Sequence, residues 1–511
     1  MTTPLHFNAF VMNTNSHIHH GQWRRPDAGQ VDFENVELWI DLAKKLEAAK
    51  FDALFFADVT GVYGDADADF DVYIREGLQI PSNDPIPLVA ALAVHTSRIG
   101  LALTSNVAQS HPYQFARQVS TLDHISKGRV AWNIVTGLQD NGARNFGYPR
   151  LTDHTERYAW AEEYVDVAYK LWEGSWDDGA LLKDRERGVY SDASKIHKIN
   201  HESARYSVQG PHLPSPSPQR TPVLYQAGSS TSGRAFAAKH AEATFIIAPT
   251  PALAKQLIDD TRRQAVEAGR LASDIKFFQG LSFVIGDTEE EAQAKAAEYE
   301  QYVSIDGYLA HSALVDKTGR VYDPDTPLKD VDTNTAKGFG EWVSKAITDR
   351  EPLVRDVALL ISRSTRVVGT PEQIADALEE WQAAGVDGIN VINWVIPGSF
   401  EEFAEKVLPV LRERGLAQRE YGPEPTLRGS LFGAPRLNER HPAAKYRGAF
   451  RPGGWAAVEA ARAGASELAQ SDTAGDVDAA TGLPLEADGQ SAASPRPGTS
   501  GDVELSAEAA R

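Results

Sequence analysis

Across the first 415 residues, short apolar runs give way to polar breaks and then to stretches where apolar side chains return at helical spacing. Residues 5–12 predict a buried strand, and Val36, Ile40, Ala43 and Leu46 mark the inner stripe of an amphipathic helix over 34–50. FDALFFAD (51–58) is too uniformly apolar for a strand with one wet face; it predicts a parallel strand covered on both sides and closing at Asp58. Residues 85–94 read as a helix, IGLALTSN (99–106) as a third strand and 113–126 as another helix. The segment TLDHISKGRVAWNIVTG (121–137) then joins that helix, through a tight turn at Gly128, to a fourth buried strand over 130–135 that stops at Thr136. The alternation continues with a helix over 155–173, the strand TPVLYQAGSS (221–230), a helix over 232–240, the strand ATFIIA (243–248) and a helix over 251–268. It ends with IKFFQGLSFVIG (275–286), helices over 288–302 and 370–385, VDGINVINW (386–394) and a helix over 399–414.

Eight strand-plus-helix units are the number that closes a TIM (β/α)8 barrel, so the expected class is α/β with that architecture. An open doubly wound sheet is the alternative. Such a sheet announces a glycine-rich phosphate turn after its first strand, whereas here the first strand runs into NTNSHIHHGQWRRP. Two interruptions, 176–220 and 304–365, exceed the connections of compact folds, and insertions of that length are expected to cover a site.

Composition narrows the chemistry. The chain has 511 residues, 42% of them hydrophobic, ample for a large core. A formal charge of −20 repels a phosphate backbone and an anionic membrane surface, so neither nucleic acid nor membrane is an expected partner. With no cysteine, disulfides, thiolate nucleophiles and Cys-ligated metal sites are excluded. No apolar run approaches a membrane span and the N-terminus lacks the pattern of a leader, so a cytoplasmic protein is expected. From about Pro452 the chain turns acidic and rich in Ala, Gly and Ser with few large apolar side chains. One domain over 1–450 and a disordered tail over 451–511 are the expected organisation.

Barrel enzymes keep their chemistry where strands end, which singles out Asp58, Thr104, Thr136 and Gly137. The carboxylate of Asp58 either caps the following loop or hydrogen-bonds a ligand. His17, His19 and His20 follow the first strand; clustered imidazoles suggest a metal, but the later strand ends offer Thr104, Thr136 and Ser229 rather than further ligands. Gating or proton handling suits His20 better, while His17 reads as a loop residue in solvent. His154 and Tyr158 share one face near a helix N-terminus, where an anion is favoured, although packing for Tyr158 and exposure for His154 is the plainer reading. Gly228, Ser229 and Ser230 lie between a strand and a helix, offering hydroxyls and free N–H groups to a phosphate, or simply an N-cap. Together these positions outline a phosphorylated planar cofactor across the barrel mouth, an outline that flavin mononucleotide (FMN) fits.

The stretches HGQWRRP, AKFDALFFAD, HPYQFARQVSTLDHISKGRVAWNIVT, ARNFG, HTERYAWAEEYVDVAYKLWEGSW, PHLPSPSPQRTPVLYQAGSSTSGRAFAAKHAEATF and GTPEQIADAL resemble the two-component flavin-dependent monooxygenases of the bacterial luciferase-like superfamily. The resemblance runs from about Leu5 to Tyr421 and is to the branch of nitrilotriacetate, dibenzothiophene sulfone and long-chain alkane monooxygenases. It implies a barrel that takes reduced FMN from a separate NAD(P)H:flavin reductase and reacts it with O2, forming a flavin C4a-peroxide that oxygenates a small organic substrate. It further implies that Asp58, Thr104, Thr136 and Gly137 line the isoalloxazine and that His154, Tyr158, Ser229 and Ser230 hold the ribityl phosphate end. His20 and His311 resemble residues near the substrate, and Tyr63 and Gln79 line the same pocket. The family pairs or tetramerises through barrel helices, so a homodimer or homotetramer is implied. Four positions depart from relatives: Thr14 stands for a Cys, Leu138 for a His, and Asn106 and Gly137 each for a Ser. No cluster of Arg or Lys marks a tricarboxylate site, which tilts the substrate toward an apolar or sulfur-containing molecule. The competing readings are a dehydrogenase using deazaflavin F420 on the same barrel, a metal-dependent hydrolase built on the HIHH run, and a flavin-binding protein without turnover.

Overall fold

Eight parallel strands pair in a closed ring in the computed structural model, which describes residues 3–64, 69–228, 230–316, 318, 320–331, 343 and 346–454. They are β1 (His6–Met12), β2 (Ala53–Ala57), β3 (Gly100–Asn106), β4 (Val130–Val135), β5 (Val223–Ala227), β6 (Ala243–Ile246), β7 (Lys276–Ile285) and β8 (Gly388–Ile392). Each pairs with its sequence neighbour, and β8 pairs back onto β1 with Ala9 opposite Val391, so the ring has no edge. The sequence places all eight strands in this order. A ninth short strand, Arg366–Gly369, extends the sheet beside β7 only.

The barrel interior alternates with the outer wall at the two-residue period of a strand. Phe10, Phe55, Ala102, Ala131, Tyr225, Phe245, Phe278 and Ile392 point inward and pack as one buried cluster. The other strand faces meet the ring of helices: Val36–Ala48 (α1), Pro85–His95 (α2), Pro112–Ser126 (α3), His154–Tyr169 (α4), Thr231–His240 (α5), Pro251–Glu267 (α6) and Pro371–Ala383 (α7). Capping side chains fix several of these starts, including Asn35, Asp84, His111, Ser230, Thr250 and Thr370. The turn at Gly128 has φ +89° and leads directly into β4, as the sequence predicts.

The two interruptions differ in use. Residues 176–220 form two small hairpins on the outer helices: Trp160 donates to the Tyr206 hydroxyl (2.5 Å), His212 bonds Ser120 (2.9 Å), and Trp176 donates to the His212 carbonyl (2.7 Å). The expectation that this insertion covers the site is therefore corrected; its apolar side chains are satisfied on α3 and α4 instead. The second, 304–365, does reach the mouth, where helices Ile305–His311 and Val354–Arg363 pack around Tyr308, Leu309, Leu314 and Val357.

Beyond the last barrel helix, residues 421–454 cross the opposite end of the barrel. Leu427 and Leu431 join the interior cluster, and Arg428 is buried with its guanidinium on the Glu242 carboxylate at 2.7 and 2.9 Å. The tail expected to be disordered lies, from residue 455 on, outside the described residues. Among the described residues no helix is long and apolar enough to cross a membrane.

Candidate functional site

A cavity of about 760 Å³ opens at the carboxyl ends of the strands, the end where barrel enzymes carry their sites. Asp58, Thr104, Asn106, Thr136, Gly137 and Tyr158 all line it, so most of the strand-end residues singled out by sequence do converge. Asp58 follows β2 directly and is half-buried; desolvation, with the nearby Asp84 carboxylate adding, pushes its carboxyl up to about 8. The Thr104 hydroxyl is already engaged, donating to the Phe56 carbonyl (2.8 Å) and accepting from the Asn133 amide (3.0 Å). It therefore shapes the wall chiefly through its methyl and its hold on Asn133.

Gly137 has φ +86°, and a Cβ there would stand 2.7 Å from Asn106 Nδ2. Two positions at which the resemblance implies a Ser thus meet across the cavity wall. Asn106 Oδ1 accepts from the Ala108 N–H (2.9 Å), which fixes the amide, and its Nδ2 occupies the space a side chain at 137 would need.

Beside Tyr158, one end of the cavity meets the start of α5. Ser230 caps α5, its hydroxyl accepting from Gly233 N–H (3.1 Å) and lying 3.2 Å from His154 Nε2. The Tyr158 hydroxyl hangs over the same turn: a Cβ on Gly228 would come 3.0 Å from it and one on Gly233 2.9 Å, so glycine is needed at both for the phenol to approach. Tyr158 also packs its ring on Phe236, as the packing reading expects. Ser229 lies outside the described residues. The N–H groups of the first turn and the helix dipole make this end favourable for a phosphate.

Beyond the opposite side of the cavity, three loops bring His20, His311, Tyr63 and Gln79 together. His20 Nε2 is 2.5 Å from His311 Nδ1, the Tyr63 and His311 rings are 4.6 Å apart, and Tyr63 donates to Gln79 Oε1 (3.1 Å). The Tyr63 hydroxyl also meets Gln139, a residue of the cavity wall, so this network touches the cavity without lining it. Gln79 donates in turn to the His17 carbonyl (3.0 Å). His17 is buried, its ring 4.6 Å from that of Phe10, which corrects its reading as a solvated loop residue; the loop after β1 is folded back into the mouth. Burial lowers the imidazoles of His17 and His19 to about 3, and that of His20 well below its ordinary value, so all three are neutral near pH 7. Among the described residues no group of three His, Asp or Glu side chains is placed to hold a metal ion.

Two wall residues escaped the sequence reading. Asn133 and Gln226 point into the cavity from β4 and β5, and each keeps a buried oxygen, Oδ1 and Oε1, without a partner among the described residues. Asn133 signalled itself as a lone amide in phase with the inward Ala131 of an apolar strand, VAWNIV, whereas Gln226, in phase with the outward Leu224, reaches the cavity only at the strand end.

Comparison with known proteins agrees with this geometry. The model of the luciferase-like monooxygenase family matches residues 7–388. The long-chain alkane monooxygenase of Geobacillus thermodenitrificans is 41% identical over 456 residues, covering 88% of this chain and 99% of its own. The dimethyl-sulfide monooxygenase of Hyphomicrobium sulfonivorans is 40% identical over 87% of this chain and 94% of its own. The structure of a riboflavin lyase with modified FMN and riboflavin superposes with a TM-score of 0.78 at 36% identity, over 87% of this chain and all of that one. With a closed barrel, a cavity at its strand ends and full-length similarity to such enzymes, this chain belongs to the luciferase-like monooxygenase family and is a flavin-dependent monooxygenase.

Proposed function

We propose that the protein binds reduced FMN, delivered by a separate NAD(P)H:flavin reductase, and uses O2 to oxygenate a small apolar or sulfur-containing organic molecule. The observation that carries this reading is a single cavity with a phosphate cradle at one end and a buried imidazole network adjoining its other side. The residues present fit FMN. Ser230, Tyr158 and His154 would hold the phosphate at the α5 N-terminus, and the unpartnered oxygens of Asn133 and Gln226 are acceptors for the donors of a flavin. Asp58, Thr104, Asn106, Thr136 and Gly137 would line the ring system.

When bound, reduced flavin supplies the electrons that activate O2; the protein orients it, excludes water and manages protons. Phe10, Ala57, Val59, Val135, Leu138, Ala227 and Phe245 give the cavity apolar surface from which a bound flavin would displace water. Leu138 presents an alkyl group to the cavity and packs on the apolar cluster around Tyr63. That suits an apolar substrate beside the His311 imidazole. His20, His311, Tyr63 and Gln79 are then the residues that hold or move a proton at the substrate end. The supply of reduced cofactor by another protein accords with a chain that has no dinucleotide fingerprint. A homodimer or homotetramer is part of the same reading, checked by light scattering.

The test is anaerobic titration with reduced FMN, followed by assay with a flavin reductase, NADH and air against n-alkanes, thioethers and aryl sulfones. Tyr158→Phe and Ser230→Ala are each expected to weaken FMN binding by about 1 kcal/mol. Unchanged affinity in both variants moves the cofactor elsewhere, and hydride transfer without O2 from deazaflavin F420 would replace the oxygenase reading.

A further inference from the structure

Behind the His20–His311 pair lies a second polar chamber. It is a small cavity, with room for about one water, walled by the β1 and β8 loops, with Ser16, His17, His19, Gln30, Asn393 and Trp394 on its surface. Four buried polar atoms of these residues have no partner among the described residues: His17 Nδ1, His19 Nε2, Asn393 Oδ1 and Trp394 Nε1. So many unpaired groups around one small chamber call for water, because each would otherwise forfeit the hydrogen bonds it had in solvent. The chamber is tied to the imidazole pair by one side chain. Ser16, itself buried, places its hydroxyl 3.1 Å from His20 Nδ1, and His20 Nε2 is 2.5 Å from His311 Nδ1.

We infer that Ser16, His20 and His311 form a proton relay that connects water in this chamber to the substrate end of the main cavity, with Ser16 as its positioning residue. The inference rests on the proposed oxygenase function and adds the route by which its protons arrive. The relay balances without any redox partner. Water gives a proton to Ser16 Oγ as Ser16 passes its own to His20 Nδ1. The Nε2–H bond of His20 then breaks as Nδ1–H of His311 forms, and His311 releases the proton on its Nε2 to an acceptor at the substrate end. One proton enters, one leaves, and the hydroxide left in the chamber is neutralised by solvent. Each imidazole gains one proton and loses one, so its charge is unchanged, and for His20 this suits a ring whose burial disfavours the imidazolium. Neutral rings conduct only by exchanging tautomers, so each must have a partner on both nitrogens; the hydroxyl of Ser16 is the second partner His20 requires.

Ser16→Ala removes that partner, and Ser16→Thr restores a hydroxyl. Selective ¹⁵N-histidine NMR of the full-length protein reads the tautomers without turnover: Ser16→Ala is expected to move the His20 and His311 signals together, and Ser16→Thr to return them. In turnover assays Ser16→Ala is expected to lower kcat about 10- to 100-fold with reduced-FMN affinity unchanged, and to straighten a curved proton inventory in H2O/D2O mixtures. Ser16→Ala with unmoved imidazole signals overturns the relay. So does a Ser16→Thr variant as slow as Ser16→Ala, since packing alone would then explain the loss. If the unsubstituted protein oxygenates none of the substrates offered, the functional reading falls by itself, and the NMR arm still decides the relay.

Discussion

Asp58 and the buried histidines of the mouth pull the pH dependence of stability in opposite directions, and the pH windows separate them. A histidine held near 3 when folded and near its ordinary value when unfolded binds its proton more weakly in the native state. His17 and His19 therefore contribute stability that is full above about pH 6.5 and is lost as pH falls toward 3. Asp58, raised from 3.8 to about 8, is the reverse: the native state keeps a proton that the unfolded chain has released, so stability declines as pH rises through that span. Between about pH 6.5 and pH 8 these imidazoles are silent and, of the three groups, Asp58 acts. Asp58→Asn is expected to flatten the fall of Tm across that window in scanning calorimetry of the flavin-free protein; equal slopes in the two proteins would remove the carboxyl as its source. At this scale the sequence revealed Asp58 because it ends an apolar strand. It hid the state of His17, since nothing in NTNSHIHH says that the loop after β1 folds inward. Asn133 and Gln226 were equally hidden, because their place on the cavity wall is settled only when the ring closes.

Two elements show how local conformation and partners fix the site and the floor. At the end of β4, Gly137 adopts a left-handed conformation and leaves the Asn106 amide room. Gly137→Ser is expected to cost about 1–3 kcal/mol through backbone strain and the clash with Nδ2. Pairing it with Asn106→Ser relieves the clash and leaves the strain, so a double-mutant cycle by denaturant unfolding should show coupling of more than about 0.5 kcal/mol; simple additivity would deny the contact. At the other end of the barrel, the helix Leu427–Phe432 carries Arg428 into a buried ion pair with Glu242, which also accepts from the Leu224 N–H at 3.1 Å. Arg428→Met leaves that carboxylate without its counter-ion, and about 3–5 kcal/mol should be lost; adding Glu242→Gln should recover part of it. Strands were legible as elements because a strand covered on both faces must be apolar throughout. The floor helix was not, because TLRGSLF carries neither a long helical period nor a run of apolar residues, and its burial comes from capping a barrel whose lower opening the sequence does not display.

At the scale of the whole molecule, the ring of eight strands needs closure below as well as a site above. Without 421–454, Leu427 and Leu431 would leave the lower interior open to water and Arg428 would leave Glu242 unpaired. The arm is fastened over its full length: Leu427 N–H donates to the Gly128 carbonyl (2.9 Å), His441 bonds the His240 carbonyl (2.9 Å), Arg447 reaches the buried Glu173 (2.8 Å), and Arg451 pairs with Asp177 (2.7 Å). The last of these joins the arm to the insertion 176–220, which gives that insertion a structural use in place of the covering role expected from its length. Residues 455–511 are acidic and poor in large apolar side chains, so their composition offers little to bury. A chain ending at Gly454 should therefore keep the Tm and FMN affinity of the full-length protein. A chain ending at Glu424 should fail to accumulate as folded protein or should unfold many degrees lower, because it loses the Arg428, Arg447 and Arg451 ion pairs and two apolar plugs at once. The Arg428→Met and Glu242→Gln double variant isolates one of these contributions: it keeps the plugs and the outer ion pairs and removes only the buried pair, so it should melt between the two truncations. If instead the shorter chain melts with the longer one, the barrel closes without its floor and the arm is a passenger on the surface.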